Sequence, residues 1–533
     1  MGKVALIIVL GGDLVKSTEH MGIAYIAACL REEQHIVDIV EINDISNKKA
    51  VQELLENQYD VYGFTTTCIT LKYALELSKI IKEADPKGLI IYGGHMATFS
   101  GEDILKNYNQ VDCIIKGEGE LTFCDLMNCL EMQGDLATIE GIIYRDLKDN
   151  VINNEDRELI EDLDTLPFPV RDQFLQHNQN LQYIRLSTSR GCYGNCAFCS
   201  SFVGRKQKGP RWRGRSPRNV VDEIEYLVKE YNFHTFDFVD SSFEDVGKAG
   251  KQRIKEIAEE IIRRGLPIYY NCCFRAESWH QEDAQLLEQL IKSGLEKVNI
   301  GFESGNDNGL KILNKNAKMK DNWNTVKLFR KFPDIYITFG FIMFHPYSSM
   351  EDVYDNATFL YETGIGQVIR HYFWVLEVYP GTLMEQKLLQ DGLTLKEYDF
   401  LDGMYKYRFK DEKIEKLVKQ SRKFLELQSV WDYEIFDIII HTFITRLLRQ
   451  YKGTDIAKVV TDFQDFVTKQ RLEIAGFNYA FFRKFYDQEE GYNIEAEKVR
   501  LDEFINKKMA LISNEQFIAG RKIIYMGGEL VNR

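Results

Sequence analysis

No run of about 18 uncharged apolar residues occurs in this chain, so no helix is expected to span a membrane. Basic charge is short: 67 Lys and Arg stand against 81 Asp and Glu, a net charge of −14. That balance disfavours wholesale nucleic-acid binding, where phosphates must be neutralised. Cysteine, at ten in 533 residues, is too sparse for a disulfide scaffold. The N-terminus, "MGKVALIIVLGGDL", is apolar too briefly for a signal peptide and lacks a small-residue cleavage pattern, so it reads as a strand. Without an export signal the expected compartment is the cytoplasm, where thiols stay reduced. Internal repeats, low-complexity tracts and a GxGxxG dinucleotide fingerprint are all missing.

What is present divides by pattern, and 533 residues favour several domains, since single cores stop growing near about 250–300 residues. Residues 1–140 alternate strand and helix. "KVALIIVL", "HIVDIVEI", "VYGFTTT", "GLIIYGG" and "DCIIKGEGE" read as strands, and "GIAYIAACLREE" and "KYALELSKIIKEA" as helices between them. A β-α-β order predicts a doubly wound parallel sheet with ligands at the carboxyl ends of its strands. Gly11-Gly12, Thr65-Thr66-Thr67, Gly93-Gly94-His95 and Gly117-Glu118-Gly119-Glu120 fall at those ends. They are ordinary turns or a ligand-facing rim. Residues 141–180 read as a linker stiffened by Pro167 and Pro169.

Residues 181–395 begin with the strand "YIRLSTSRGC". Ser216 and Pro217 suit the start of a helix through "SPRNVVDEIEYLVKEY". Strands are then expected at "HTFDFVDSSF", "IYYNCCFRAE", "KVNIGFESG", "IYITFGFIMF" and "QVIRHYFWVL". Six strands alternating with helices predict a partial or closed (β/α)6 barrel with its chemistry at one mouth. Asp240, Arg275, Glu303 and His345 stand at strand exits. Residues 396–533 lack proline, are dominated by helical periods, and read as a mainly α-helical domain. Its aromatics suit core packing or a substrate cavity.

The first strand of the second segment empties into "GCYGNCAFC", where Cys192, Cys196 and Cys199 are spaced CxxxCxxC. The other seven cysteines, Cys272 and Cys273 among them, read as small buried hydrophobes. A structural zinc site takes four ligands, usually two CxxC-type pairs, and no second pair follows. Three thiolates can hold three irons of a 4Fe–4S cluster and leave the fourth iron open to a ligand.

CxxxCxxC with Phe198 before the last cysteine, after a first strand and ahead of a six-fold β/α pattern, resembles the signature of radical S-adenosylmethionine (SAM) enzymes. Upstream, "GIAYIAACL", "DVYGFTTT", "IIYGGHMAT" and "VDCIIKGEGELTF" resemble the cobalamin-binding domain fused to one large subgroup of them. "LDTLPFPVRD", "RWRGRSPRNVVDEIEYL", "FVDSSF", "NIGFESG" and "YPGT" resemble that subgroup's linker and barrel segments. The resemblance spans about residues 1–385. It implies a 4Fe–4S cluster, SAM and cobalamin as cofactors, an electron donor such as flavodoxin or ferredoxin, and a small-molecule substrate. The DxHxxG motif that supplies a cobalt-ligating histidine is absent, and the matching region reads "EINDISNKK". Cobalamin with no histidine below the metal is therefore implied, although His20, His35 and His95 remain.

By the same resemblance Cys192, Cys196 and Cys199 ligate the cluster and Phe198 lies near the adenine. Glu303 and Ser304 match a position that touches SAM; the plainer reading pairs Glu303 with Arg275. Asp240 either contacts SAM or caps a turn. Arg213 and Arg215 form a solvated face, or one of them neutralises a carboxylate or phosphate. Thr65, Thr66, Gly93, Gly94, Gly117 and Glu118 are the expected cobalamin contacts. The activity implied is methylation of an unactivated carbon through a 5′-deoxyadenosyl radical and methylcobalamin. The alternative with the same cofactors is cyclisation, ring contraction or rearrangement.

Overall fold

The computed structural model describes residues 2–10, 19–176, 183–201, 208–244, 247–488 and 492–530. Gly11 and Gly12 lie outside the described residues.

β1 (Lys3–Val9), β2 (Ile36–Ile42), β3 (Val61–Thr65), β4 (Leu89–Gly93) and β5 (Cys113–Ile115) pair in parallel in the order β2-β1-β3-β4-β5. β1 shows why a continuous apolar run was required. Val4, Leu6 and Ile8 enter the core on one face, and Ala5, Ile7 and Val9 enter the core on the other. A strand covered by helices on both sides has no polar face.

The sheet continues where a linker was expected. β6 (Ile142–Arg145) pairs antiparallel with β5, and β7 (Val151–Asn153) antiparallel with β6. Residues 142–153 are therefore a hairpin on the sheet edge, and the connection to the next unit starts after it.

β8 (Ile184–Leu186) opens the second unit and is followed by a two-stranded antiparallel ribbon, β9 (Ser189–Gly191) and β10 (Trp212–Gly214). The ribbon encloses the cysteine loop. β11 (Thr235–Phe238), β12 (Tyr269–Arg275), β13 (Leu295–Glu303) and β14 (Tyr336–Phe341) then complete a five-stranded parallel sheet in the order β14-β13-β12-β11-β8. The helix Pro217–Tyr231 starts as expected, with Ser216 accepting from the Asn219 N–H and Asn232 closing it in the left-handed region.

The sixth expected strand is not one. Ile369–Tyr372 form a 3-10 turn, and this segment reaches the sheet through the single bridge Phe344–Val375. The barrel is partial: five strands in a row and one touch beyond them.

Helices Glu412–Leu425, Gln428–Gln450, Asp455–Asp487 and Ile494–Tyr525 make up the C-terminal region. Many of its aromatics are core, although Trp431, Phe517 and Tyr525 are exposed. Phe424, Phe481, Phe482 and Phe485 share one apolar cluster with the barrel helices. Among the described residues no helix is long and apolar enough to cross a membrane.

Candidate active site

The carboxyl ends of β1 and β3–β5 open onto a cavity of about 500 Å³. Thr65, Gly93, Gly94, Gly117 and Glu118 line it from the first sheet, and Ser187, Ser189, Arg190 and Gly191 line it from the strand that leads to the cysteines. Gly94 has φ +91°, and a Cβ there would lie 2.7 Å from the Thr66 carbonyl oxygen. Only glycine lets the chain turn there and keep the cavity wall flat. Thr66 does not face the cavity. It is fully buried, its N–H and hydroxyl both donate to the Gly93 carbonyl, and its Oγ1 accepts from Ala97. Helix Met21–Glu32 adds Met21, Tyr25 and Ile26 to the wall, which its apolar periodicity alone did not single out. His95 also lines the wall, its pKa lowered by burial. His20 and His35 are not on it; the His35 Nδ1 accepts from the Gly2 N–H.

Glu118 does more than border the cavity. On the ribbon Arg190 and Arg213 are cross-strand partners, a placement in which like charges repel. Glu118 resolves it: its Oε1 accepts from Arg190 at 3.2 Å and its Oε2 from Arg213 at 2.9 Å and from the Ile160 N–H at 2.9 Å. Burial pushes the Glu118 carboxyl up, but the Arg213 and Arg190 guanidinium groups outweigh it and hold it below the usual range. Glu120 takes the other arm of Arg190 at 2.6 Å, and the Arg190 guanidinium lies 5.0 Å from the Tyr25 ring centroid.

In the cysteine loop Cys196 is buried, while Cys192 and Cys199 are half-buried. The loop is pinned by backbone bonds to distant segments, Ala197 N–H to the Leu313 carbonyl at 2.7 Å and Met384 N–H to the Ala197 carbonyl at 2.8 Å. Phe198 packs against the small apolar cluster around Leu313, Ile342 and Leu376.

Arg275, at the end of β12, crosses directly over Gly194, where any Cβ would collide with its guanidinium. Its Nη1 lies 3.5 Å from the Cys192 Sγ and 3.9 Å from the Cys196 Sγ. Burial pushes the Cys196 thiol up, and the charges of Lys315 and Arg275 oppose that shift. Among the described residues no group of three Cys, His, Asp or Glu side chains converges on a single ion. Thiols that each take a separate iron need no such convergence, so the donor set fits a cluster.

The other expected contacts resolve differently. Arg275 is held by Glu277, with Nε to Oε1 at 2.7 Å, and not by Glu303. Glu303 has φ +64°. Its carboxylate folds over two glycines, where a Cβ on Gly301 would be 2.5 Å from Oε1 and one on Gly340 would be 3.2 Å from Oε2. Lys315 lies 3.7 Å from it and 3.7 Å from Glu277. Ser304 is buried and donates to Asn356 at 3.0 Å, so its hydroxyl is spent on a helix.

Asp240 is a cap. It accepts from the Thr188 N–H at 2.8 Å, the Thr188 hydroxyl at 2.5 Å and the Ser189 N–H at 2.8 Å, fixing the turn before the cysteines. Arg213 and Arg215 are buried, which overturns the solvated-face reading. Arg215 pairs with Glu223 at 2.5 Å and donates to the Ser187 carbonyl at 2.8 Å, so it braces the sheet and does not reach for a ligand. His345 is buried in its own turn, its Nδ1 accepting from the Tyr347 N–H, and burial lowers its pKa to about 4. Cys272 is core as expected, but Cys273 faces the barrel interior.

Residues 7–127 match the family model of the B12 binding domain, and residues 186–360 match that of the radical SAM superfamily. The chain is 28% identical over 447 residues to PH0819, an uncharacterized methyltransferase of Pyrococcus horikoshii, covering 81% of this chain and 94% of that one. It is 27% identical over 349 residues to the anaerobic magnesium-protoporphyrin IX monomethyl ester cyclase of Cereibacter sphaeroides, covering 62% of this chain and 55% of the cyclase. The fold matches that of the cobalamin-dependent SAM radical enzyme OxsB with a TM-score of 0.71 at 19% identity, over 97% of this chain and 84% of that one. The likeness in fold thus extends into the C-terminal helices. With a B12-binding sheet and a radical SAM barrel opening onto one another, this chain belongs to the cobalamin-dependent radical SAM enzymes, with cobalamin, SAM and a 4Fe–4S cluster as its cofactors.

Proposed function

We propose that the protein is a methyltransferase that places a methyl group on an unactivated carbon of a small molecule. The observation that carries the reading is the shared cavity. Residues of the cobalamin-binding sheet and residues leading into the cysteine loop line the same 500 Å³ space. When bound, the cofactors supply a 5′-deoxyadenosyl radical from SAM and a methyl group from cobalamin.

The chain's own residues then orient and shield. Cys192, Cys196 and Cys199 hold the cluster, and Arg275 donates toward two of their sulfurs. Phe198, anchored on its apolar cluster, precedes the last cysteine, where its ring would lie near the adenine of SAM. Glu303, aimed by its left-handed backbone, accepts from SAM hydroxyls. Gly93, Gly94, Gly117 and Thr65 present backbone and a small hydroxyl to cobalamin. Holding a substrate carbon between radical source and methyl donor gains from proximity, which lowers a barrier by roughly 7–11 kcal/mol in well-oriented systems. The electron arrives from a protein donor of the flavodoxin or ferredoxin type.

The similarity to PH0819 over most of both chains supports methylation. A second reading, cyclisation or rearrangement without methylation, is favoured by the similarity to the cyclase. One experiment separates them. Anaerobically reconstituted enzyme, a reductant, SAM with a deuterated methyl group and a small-metabolite extract are incubated and analysed by mass spectrometry. Methylation gives 5′-deoxyadenosine, S-adenosylhomocysteine and a product carrying the label. A product of unchanged carbon count without S-adenosylhomocysteine replaces this reading with the second.

A further inference from the structure

The concave face of the barrel sheet carries a second cavity of about 470 Å³. Strand alternation builds its wall: Asp237 on β11, Asn271 and Cys273 on β12, Lys297 and Asn299 on β13, and Thr338 on β14 project to one side. The intervening residues, such as Cys272, Val298 and Ile300, are buried in the core. A parallel sheet packed on both faces should be apolar on both. The inner parity here is polar, so this face is built to hold something other than side chains.

Four charged residues line the cavity: Asp237, Lys297, Arg370 and Glu434. Arg370 and Glu434 satisfy each other through two bonds of 2.7 Å, flanked by Trp374 and Trp431. Asp237 faces Arg185 at 3.8 Å. Among the described residues Lys297 has no hydrogen bond and no carboxylate within 4.0 Å; its ammonium rests 5.4 Å from the centroid of the Tyr183 ring. A mostly enclosed ammonium without an acceptor is costly, and burial already lowers its pKa. With Arg370 and Glu434 paired and Asp237 facing Arg185, Lys297 is the wall cation left without a directly bonded acid among the described residues, and neutral donors, Asn271, Asn299 and Thr338, stand around it.

We propose that this cavity receives an anionic group of the substrate, a phosphate or a carboxylate, which pairs with Lys297. The inference rests on the reading that the protein acts on a small molecule and names part of that molecule's chemistry. Lys297 lies six residues before Glu303 on β13, roughly 20 Å of strand. Glu303 folds over Gly340, which lines this same cavity. An extended substrate thus keeps its anionic end at Lys297 and its reacting end toward the cysteine loop.

The test uses the full-length, cofactor-loaded protein and two simple ions. Phosphorus NMR line broadening of inorganic phosphate and carbon NMR line broadening of labelled acetate report binding, and the tighter ion names the class. The Lys297→Gln variant is expected to lose roughly tenfold or more of the affinity, as removal of a charged partner should, and Lys297→Arg to retain it. Asn299→Asp supplies the missing negative charge on the same face and is expected to weaken binding as strongly, so the test survives if Lys297→Gln fails to fold. No binding of either ion, or binding by Lys297→Gln and Asn299→Asp equal to that of the wild type, overturns the inference. SAM cleavage and S-adenosylhomocysteine formation are read separately. If these persist without ion binding, the cavity assignment alone falls; if ions bind as expected but no methyl is transferred, the methyltransferase reading alone falls.

Discussion

Replacing Arg275 with methionine removes the guanidinium beside the Cys192 and Cys196 sulfurs while keeping the bulk of the side chain. A bare unit charge 3.5 Å from a thiolate would be worth about 5 kcal/mol at an effective dielectric constant of 20. Glu277 on the same guanidinium cancels most of that. What remains is one charge-assisted N–H···S contact, about 1.5–3 kcal/mol. For a one-electron couple, 59 mV corresponds to about 1.4 kcal/mol. The cluster of the Arg275→Met variant should therefore be harder to reduce by roughly 65–130 mV. Glu277, left unpaired, pushes the same way, so the double variant Arg275→Met/Glu277→Gln isolates the hydrogen bond from the charge. The assay is an anaerobic redox titration followed by electron paramagnetic resonance, on protein whose iron content matches the wild type. Arg275→Lys should recover part of the shift. A potential within roughly 20 mV of wild type in Arg275→Met, with iron intact, would refute the placement of Arg275 against the cluster.

Replacing Cys192, Cys196 and Cys199 together with alanine should remove the iron of the four-iron cluster; full iron in the triple variant would overturn the ligand assignment. Arg190→Met breaks a buried ion pair with Glu118 and Glu120 and should cost about 3–5 kcal/mol in denaturant unfolding. Because Glu118 titrates below the usual carboxyl range in the folded protein, its contribution is complete above the ordinary glutamate pKa of about 4.3 and is lost as pH falls through the lower folded value. The acid limb of the stability profile should therefore flatten in Glu118→Gln. Resonance spectra of the cob(II)alamin form should lack nitrogen superhyperfine splitting, and His95→Ala should leave them unchanged; a nitrogen triplet abolished by that variant would identify His95 as a cobalt ligand.

The features legible in the sequence were those written locally. Three cysteines in one loop, the apolar run of β1 and the Ser216-Pro217 helix start each depend on neighbours a few residues away. Residues whose roles the sequence left open or hid had distant partners. Asp240 spends its carboxylate on Thr188 and Ser189, some fifty residues earlier, and Ser304 spends its hydroxyl on Asn356, as far downstream. Thr66 looked like rim because its segment ends a strand, yet its hydroxyl bonds to the next strand of the sheet. β6 and β7 were hidden by brevity, at four and three residues. The polar lining of the barrel was partly visible: Asn271 and Arg275 in "YYNCCFR", and Lys297, Asn299 and Glu303 in "EKVNIGFE", share one parity between apolar residues, the mark of a strand with one wet face.

The clasp of Glu118 across Arg190 and Arg213 has a mechanical consequence. It joins a loop of the cobalamin-binding sheet to both strands that bracket the cysteines, at the seam between the two units. Parting that seam would break the ion pairs by which Glu118 and Glu120 balance Arg190 and Arg213, a loss that water entering the gap repays only in part. A gate that works by separating the layers would have to break these pairs each time it opened. The pairs thus favour the closed seam, and an opening in the cavity walls would let substrate and spent SAM pass without breaking them.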